Sequence, residues 1–352
     1  MARSSVRLAD VARAAGVSQG TASNVFSRPD LVREEVRNQV LEKARELGYS
    51  GPDLKGRLLR AGKVNAIGVA AVEPLAYFFD DPWARTLLAA IAEVCDANGT
   101  GLALVSAKDR QKLDWNIRNA LVDGFVLLCV EGGEKLVDLT RERRLPFMAL
   151  ALGVDDKSIP AIGIDNVRGA AMAARHLCEL GHRRVAVLAT EFVDGRVGRI
   201  GPAEVEAAIY STSRDRMFGY WQALAEFGVA REAVPIYETH NDKASVEACL
   251  EQIFAGPVPP TGILAMSDRI ALIAMTWLAS RGLFVPADVS IVGFDGVPEA
   301  AMVEPGLTTM AQPFAEIARR AVRAILDDAI PAERETVDVE FLLRGTTAPP
   351  TS

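Results

Sequence analysis

The 352-residue sequence carries 39 Lys/Arg against 46 Asp/Glu and is 49% apolar, long enough for two or three compact units whose cores need neither metals nor disulfides. Its four cysteines (Cys95, Cys129, Cys178 and Cys249) form no close pair, which points to reduced, buried residues of a cytoplasmic protein and away from a redox or metal framework. No apolar run reaches the length of a membrane span, and none at the N-terminus precedes a cleavage-like site, so neither membrane insertion nor secretion is expected.

The net charge of −7 is unevenly placed. Residues 1–62 carry 11 Lys/Arg and 7 Asp/Glu, a surplus of +4, which leaves −11 for the remainder. A basic head on an acidic body fits contact with a polyanion; charge alone leaves a partnerless basic patch equally open.

The first 48 residues hold three helical patterns and no strand. Leu8, Val11, Ala12 and Ala15 recur at helical spacing before Gly16. Ser18 is placed to cap a second helix whose inner face is Ala22, Val25 and Phe26. A third, around Arg33 to Leu47, presents Val36, Val40, Ala44 and Leu47 and stops at Gly48. Two short helices across a tight glycine turn, then a third, make a helix-turn-helix outline. Within GVSQGTASNVF (16–26), Gly20 stands where alanine would be about 1 kcal/mol better. Either the helix approaches a partner closely there or the glycine is incidental. Residues 50–62, bracketed by Gly51-Pro52 and Gly62, are basic and leucine-bearing. They predict a linker, or a short helix that needs a partner to order it.

From Lys63 onward short apolar runs alternate with amphipathic helical patterns. The runs are AIGVAAV (66–72), GLALVSA (101–107), GFVLLCV (124–130), PFMALAL (146–152), AIGID (161–165), RVAVLAT (184–190), GILAMSD (262–268) and VSIVGFD (289–295). Continuously apolar strands between helices predict parallel sheets covered on both faces. About ten such strands exceed one tidy sheet, so two α/β lobes are expected, with ligands beyond the carboxyl ends of the strands.

The search for catalytic or metal chemistry is negative. His176 and His182 do not share a helix face, His240 stands alone, and the glycines at 195, 198 and 201 match neither the dinucleotide fingerprint nor a phosphate loop. No nucleophile elbow is present. No metal, cofactor or enzymatic activity is expected. Ser267-Asp268 and Asp295 do stand out, each just past an apolar run, with Arg216 near the start of RDRMFGYWQAL (214–224). Converging Asp and Arg groups suit the hydroxyls or carbonyls of a small polar ligand; Asp268 equally suits a helix cap, and Asp295 a turn.

The run RLADVARAAGVSQGTASNVFSRPDLVREEVRNQVLEKARELGY resembles the DNA-binding head of the LacI/GalR family of bacterial transcription regulators. The resemblance continues through VDGFVLL (122–128), ARHLCELGHRRVAVL (174–188), GLFVPADVSIVGFDGVPEA (282–300), LTTMAQPFAEIARRA (307–321) and RGTTAPP (344–350). It implies a helix-turn-helix head (1–49), a hinge helix (50–62) and a periplasmic-binding-protein-like core (63–352). In that core, lobe 1 would hold 63–163 and 309–330, and lobe 2 would hold 164–308 and 331–352.

The resemblance further implies a cytoplasmic homodimeric repressor that binds a pseudo-palindromic operator and a small polar effector such as a sugar. The rival reading is a solute-binding protein or sugar-modifying enzyme with a similar core. Gln19, Gly20, Thr21 and Asn24 would lie at base edges, where Gln and Asn can each hold adenine bidentately. Ser18 and Ser23 would contact phosphates or cap the helix. In the hinge, Arg57 would meet phosphate or groove and Leu59 would wedge between base pairs, with Leu58 the alternative, because Gly51 is one residue more than the family pattern. Arg216 and Asp295 match the family's effector-binding Arg and Asp. Ser267, Asp268, Asp165 and the aromatic Tyr77 and Phe78 would complete the cleft. The loop 191–213 matches nothing in that pattern.

Overall fold

Small apolar residues at helical spacing draw residues 6–49 into three short helices, α1 (Leu8–Ala14), α2 (Gln19–Ser27) and α3 (Glu34–Leu47). The structure is a computed structural model that describes residues 6–49, 51, 63–109, 111–128, 133–150 and 156–351. Val11, Ala12, Ala15, Ala22, Val25, Val40 and Ala44 form the buried centre of this head; all are Val or Ala, so the helices meet at close range. Gly16 turns the chain at φ +64°, a conformation costly to any residue with a Cβ. Gln39 Nε2 donates to the Ala15 carbonyl at 3.2 Å, satisfying one of the free acceptors that ends α1. The ring of Tyr49 meets Phe26 edge-on at 5.6 Å. The hinge expectation, with Arg57, Leu58 and Leu59, lies outside the described residues.

Residues 65–352 form a second unit. Its strands among the described residues are β1 (Ala66–Ala71), β2 (Gly101–Ser106), β3 (Gly124–Leu128), β4 (Phe147–Leu150), β5 (Ala161–Ile164), β6 (Val185–Ala189), β7 (Gly198–Ile200), β8 (Ile236–Glu238), β9 (Gly262–Ala265), β10 (Ser290–Asp295), β11 (Thr308–Ala311), β12 (Glu335–Val337) and β13 (Glu340–Leu342). The main helices are α4 (Pro82–Ala97), α5 (Leu113–Asn119), α6 (Glu134–Glu142), α7 (Asn166–Glu179), α8 (Ser211–Glu226), α9 (Lys243–Phe254), α10 (Asp268–Ser280) and α11 (Phe314–Leu326).

The strands sort into two sheets, as their number required. The first runs β12-β5-β4-β3-β1-β2 and is parallel throughout; the second runs β13-β11-β10-β9-β6-β8-β7, with only its edge strands β7 and β13 antiparallel. In the first lobe α4 and α11 cover one face while α5 and α6 cover the other. In the second, α7 and α8 face α9 and α10 across the sheet. Every residue of β3, β6 and β9 is buried, which is why those segments read as unbroken apolar runs.

The chain crosses between lobes three times, and here the expected partition is corrected. Thr308–Ala311 pairs with β10 in the second sheet, whereas Glu335–Val337 pairs with β5 in the first. β12 has no apolar run and is only half-buried or exposed, so its pairing with an edge strand leaves no periodic signal. Helix α11 nonetheless covers the first sheet, as expected for residues 313–328.

His182 ties the chain end to the second lobe. Its ring is buried, with Nδ1 at 2.9 Å from Thr261 Oγ1 and Nε2 at 2.9 Å from the Ala348 carbonyl. Burial depresses its pKa below 6.5, against an opposing hydrogen bond to Ala348. A histidine whose folded pKa lies below its unfolded value contributes stability above pH 6.5 that is lost as pH falls through the folded pKa. Between pH 7 and pH 5 the His182 contribution is therefore expected to fall, so the unfolding temperature of the native chain should move downward relative to that of His182→Asn over this interval. An equal pH slope in the variant contradicts the assignment.

Candidate functional site

A cavity of about 260 Å³ lies between the lobes, at the carboxyl ends of both sheets. Its two walls differ. The first lobe contributes mainly apolar groups, Pro82, Trp83, Leu87, Leu150, Ile162, Phe314 and Ile317, with Glu73, Tyr77 and Asp81 as its polar members; the second contributes Thr190, Ser213, Arg216, Asn241, Ser267, Arg269 and Asp295. A mainly apolar face opposite hydrogen-bonding groups suits a compact ring that carries hydroxyls.

Arg216, on the second turn of α8, is buried and held on four sides. Nε donates to Asn166 Oδ1 at 2.9 Å, Nη1 donates to the Met266 carbonyl, Nη2 lies 3.7 Å from Asp295 Oδ1, and the guanidinium stacks 3.8 Å from the Phe294 ring centroid. Asp295 ends β10 at φ +131°, a backbone that L side chains rarely adopt and that is costly to hold. Gln312 stabilises it twice: its backbone N–H donates to the Asp295 carbonyl and its Nε2 to Asp295 Oδ1, both at 2.8 Å. Burial pushes the Asp295 carboxyl well above its ordinary pKa, with the Arg216 charge opposing. Burial likewise lowers Arg216, with Asp295 opposing.

Of the expected cleft residues, Tyr77, Arg216, Ser267 and Asp295 line this cavity. Three others are placed elsewhere. Phe78 is fully buried in the first-lobe core, because its turn of helix points it beneath α4. Asp165 is exposed and caps α7, accepting from Arg168 N–H at 2.9 Å. Asp268 is fully buried behind the wall, where it accepts from the N–H groups of Gly296 (2.7 Å) and Val297 (2.9 Å) and from Thr309 Oγ1 (2.5 Å). It thus holds the strained turn that presents Asp295, and Ser267 does the capping of α10, accepting from Ile270 N–H at 3.1 Å.

Sequence reading missed Trp83, Asn166, Asn241, Arg269 and Gln312. Each sits at a helix start or strand end, and only Asp81-Pro82 before Trp83 carries a local signal, a helix cap followed by proline. The unmatched stretch 191–213 supplies Glu191 and Tyr210 to the cavity and, from the first turn of α8, Thr212 and Ser213. Buried Glu238 anchors that loop, accepting from Phe192 N–H, Val193 N–H and Arg196 Nε.

In the head, Ser18 Oγ accepts from Thr21 N–H at 3.0 Å and caps α2. Gln19 and Gly20 are exposed, while Thr21, Ser23 and Asn24 are half-buried along the same half of the helix. A Cβ on Gly20 would meet only Ser18 Oγ, at 3.6 Å. Gly20→Ala is therefore expected to stabilise the head by up to about 1 kcal/mol, measured as a shift in the urea midpoint of the head transition. A lower midpoint contradicts this.

Residues 7–51 match the family model of bacterial regulatory proteins of the lacI family, and residues 174–347 match the periplasmic binding protein-like domain. The HTH-type transcriptional regulator Rv3575c of Mycobacterium tuberculosis is 34% identical over 351 residues, covering 97% of each chain. The HTH-type transcriptional repressor CytR of Escherichia coli is 32% identical, covering 96% of this chain and 95% of its own. A solved LacI-family regulator from Enterococcus faecalis with bound ribose is 26% identical, with a TM-score of 0.66 over 81% of this chain and 100% of its own. The chain therefore belongs to the LacI family of bacterial regulatory proteins and is a transcriptional regulator.

Proposed function

We propose that this regulator is a homodimeric repressor of the cytoplasm that binds a pseudo-palindromic double-stranded operator and releases or tightens on it when a small polar effector fills the cleft. The observation that carries the effector reading is the buried Arg216–Asp295 pair in a cavity of about 260 Å³ whose opposite wall is mainly apolar, with Glu73, Tyr77 and Asp81 at its polar points. Burying such a pair gains little stability over a hydrophobic one, so its place in a ligand-sized cavity argues for recognition. Cis-hydroxyls bridging the guanidinium and the carboxyl, with a ring face on Trp83, satisfy both walls. The ribose-bound relative is consistent with a sugar-like ligand. The core acts as a receptor without catalysis.

On the DNA side, the capped N-terminus of α2 presents Gln19 to solvent with Thr21 and Asn24 beside it, as a major-groove reader requires. Ser18 and Ser23 sit where phosphates flank that groove. Gln19→Ala and Asn24→Ala are each expected to relax selectivity at one base position by about 1–3 kcal/mol, five- to 150-fold. Competition binding against duplexes substituted one position at a time measures it. Uniform weakening at every position contradicts base reading. A thermal-shift panel of D-ribose, other sugars, nucleosides and small acids tests the cleft: a hit raises the midpoint with concentration, and a cleft that discriminates none of them contradicts an effector of this class.

A further inference from the structure

The start of α4 belongs to the first lobe, yet its N-cap Asp81 and, from its first turn, Trp83 and Arg85 reach across to the second. Asp81 is buried and divides its carboxylate: Oδ1 caps its own helix, accepting from the N–H groups of Trp83 (3.0 Å) and Ala84 (3.1 Å). Oδ2 accepts from Asn241 Nδ2 at 3.0 Å and Arg269 Nη1 at 3.4 Å, both on the opposite lobe. Asn241 is in turn fixed by Ser267 Oγ, which donates to its Oδ1 at 2.7 Å. Trp83 packs against the cores of both lobes, and its Nε1 donates to Gln312 Oε1 at 3.2 Å. The Gln312 amide can point only one way, since its Nε2 donates to the Asp295 carboxylate. Arg85 pairs with Glu299 of the second lobe, outside the cavity, while its Nη1 donates to the Phe79 carbonyl of its own lobe.

We propose that Asp81, Trp83 and Arg85 form a latch that holds the cleft shut, each engaging a different element of the second lobe from one turn of helix. Separating the lobes breaks all three contacts together. It leaves Asp81 without its cross-lobe donors and Gln312 without the indole N–H, so opening is a cooperative step with a definite cost. Closure is therefore biased by the protein's own groups before any effector contact is counted. Effector affinity carries the closed fraction as a factor. Arg85 and Glu299 line no part of the cavity, so they tune closure without touching a ligand.

Hydrogen exchange on the intact chain, with no ligand or DNA, tests this apart from the proposed effector and operator. Arg85→Glu alone and Glu299→Arg alone are each expected to raise exchange at least threefold in both partner segments, 82–86 of the first lobe and 267–270 of the second. The interior of β6 should stay unchanged. The double swap should restore protection in both. Asp81→Asn keeps a competent helix cap but loses the charge that holds Arg269, so it should expose 267–270 more than 82–86. Exchange that rises only beside the substituted residue, or a swap that fails to restore protection, overturns the latch. If a single variant unfolds globally, Asp81→Asn and Trp83→Phe carry the same test, with opposite-lobe exposure required and its absence contradicting the proposal.

Discussion

Alanine at position 216 is expected to abolish effector-induced stabilisation and to cost the core roughly 3–5 kcal/mol, the range for breaking a buried ion pair from one side. Four interactions go at once: the contact to Asp295, the bonds to Asn166 Oδ1 and the Met266 carbonyl, and the stack on Phe294. Among the described residues, Gln312 alone then hydrogen-bonds the buried Asp295 carboxyl. Burial already raises its pKa and Arg216 opposes that rise, so removing the cation raises it further. A carboxyl whose folded pKa exceeds its unfolded value binds its proton more readily in the folded state. Its favourable contribution is complete below the unfolded pKa and is lost as pH rises through the folded one. The penalty of Arg216→Ala should accordingly be larger at pH 8 than at pH 5. Urea unfolding at both values measures it, and a penalty independent of pH contradicts the pairing of Arg216 with Asp295.

Gly219→Ala is expected to destabilise the second lobe by about 3 kcal/mol, although alanine is the better helix former. A Cβ there would lie 2.1 Å from the Val167 carbonyl oxygen and 2.9 Å from both Ala170 Cβ and Ala171 N. Those atoms are mostly helix backbone and cannot turn aside, so α7 and α8 must part, disturbing the core that Met217, Tyr220 and Leu224 share with Ala170 and Ala174. Calorimetric unfolding of the full chain reads this as a lower transition temperature for the core. The same substitution at Gly20 has open space and the opposite expected sign. Two glycines on helices, one facing solvent and one facing backbone, thus separate incidental from required.

The periodicity of the sequence was sufficient for the head and the two parallel sheets, because full burial on both faces writes itself as unbroken apolar runs. It was insufficient at β12, whose three residues ETV add an edge strand through backbone bonds alone. In the cavity wall, Arg216 and Asp295 were legible because a charged residue interrupts an apolar context there. Asp268 has the same signature, yet its carboxylate serves the 295–297 turn from behind. Phe78 and Tyr77 are adjacent, and the helical turn between them sends one ring to the core and the other to the cavity. Asn241 and Gln312 had no local signal, since their roles come from partners 160 and 17 positions away. At Tyr77 and Phe78, rotation along one helical turn, not residue type, decided which ring lines the cavity.

Selection of the full chain on a randomised duplex pool, followed by a salt titration on the enriched site, tests regulation through operator binding most directly. The expected result is an enriched pseudo-palindromic sequence whose log affinity falls steeply and linearly with log salt, as phosphate contacts by a basic head require. Gln19→Ala should enrich a sequence altered at one symmetric pair of positions. Failure to enrich any sequence, or affinity indifferent to salt, would contradict it.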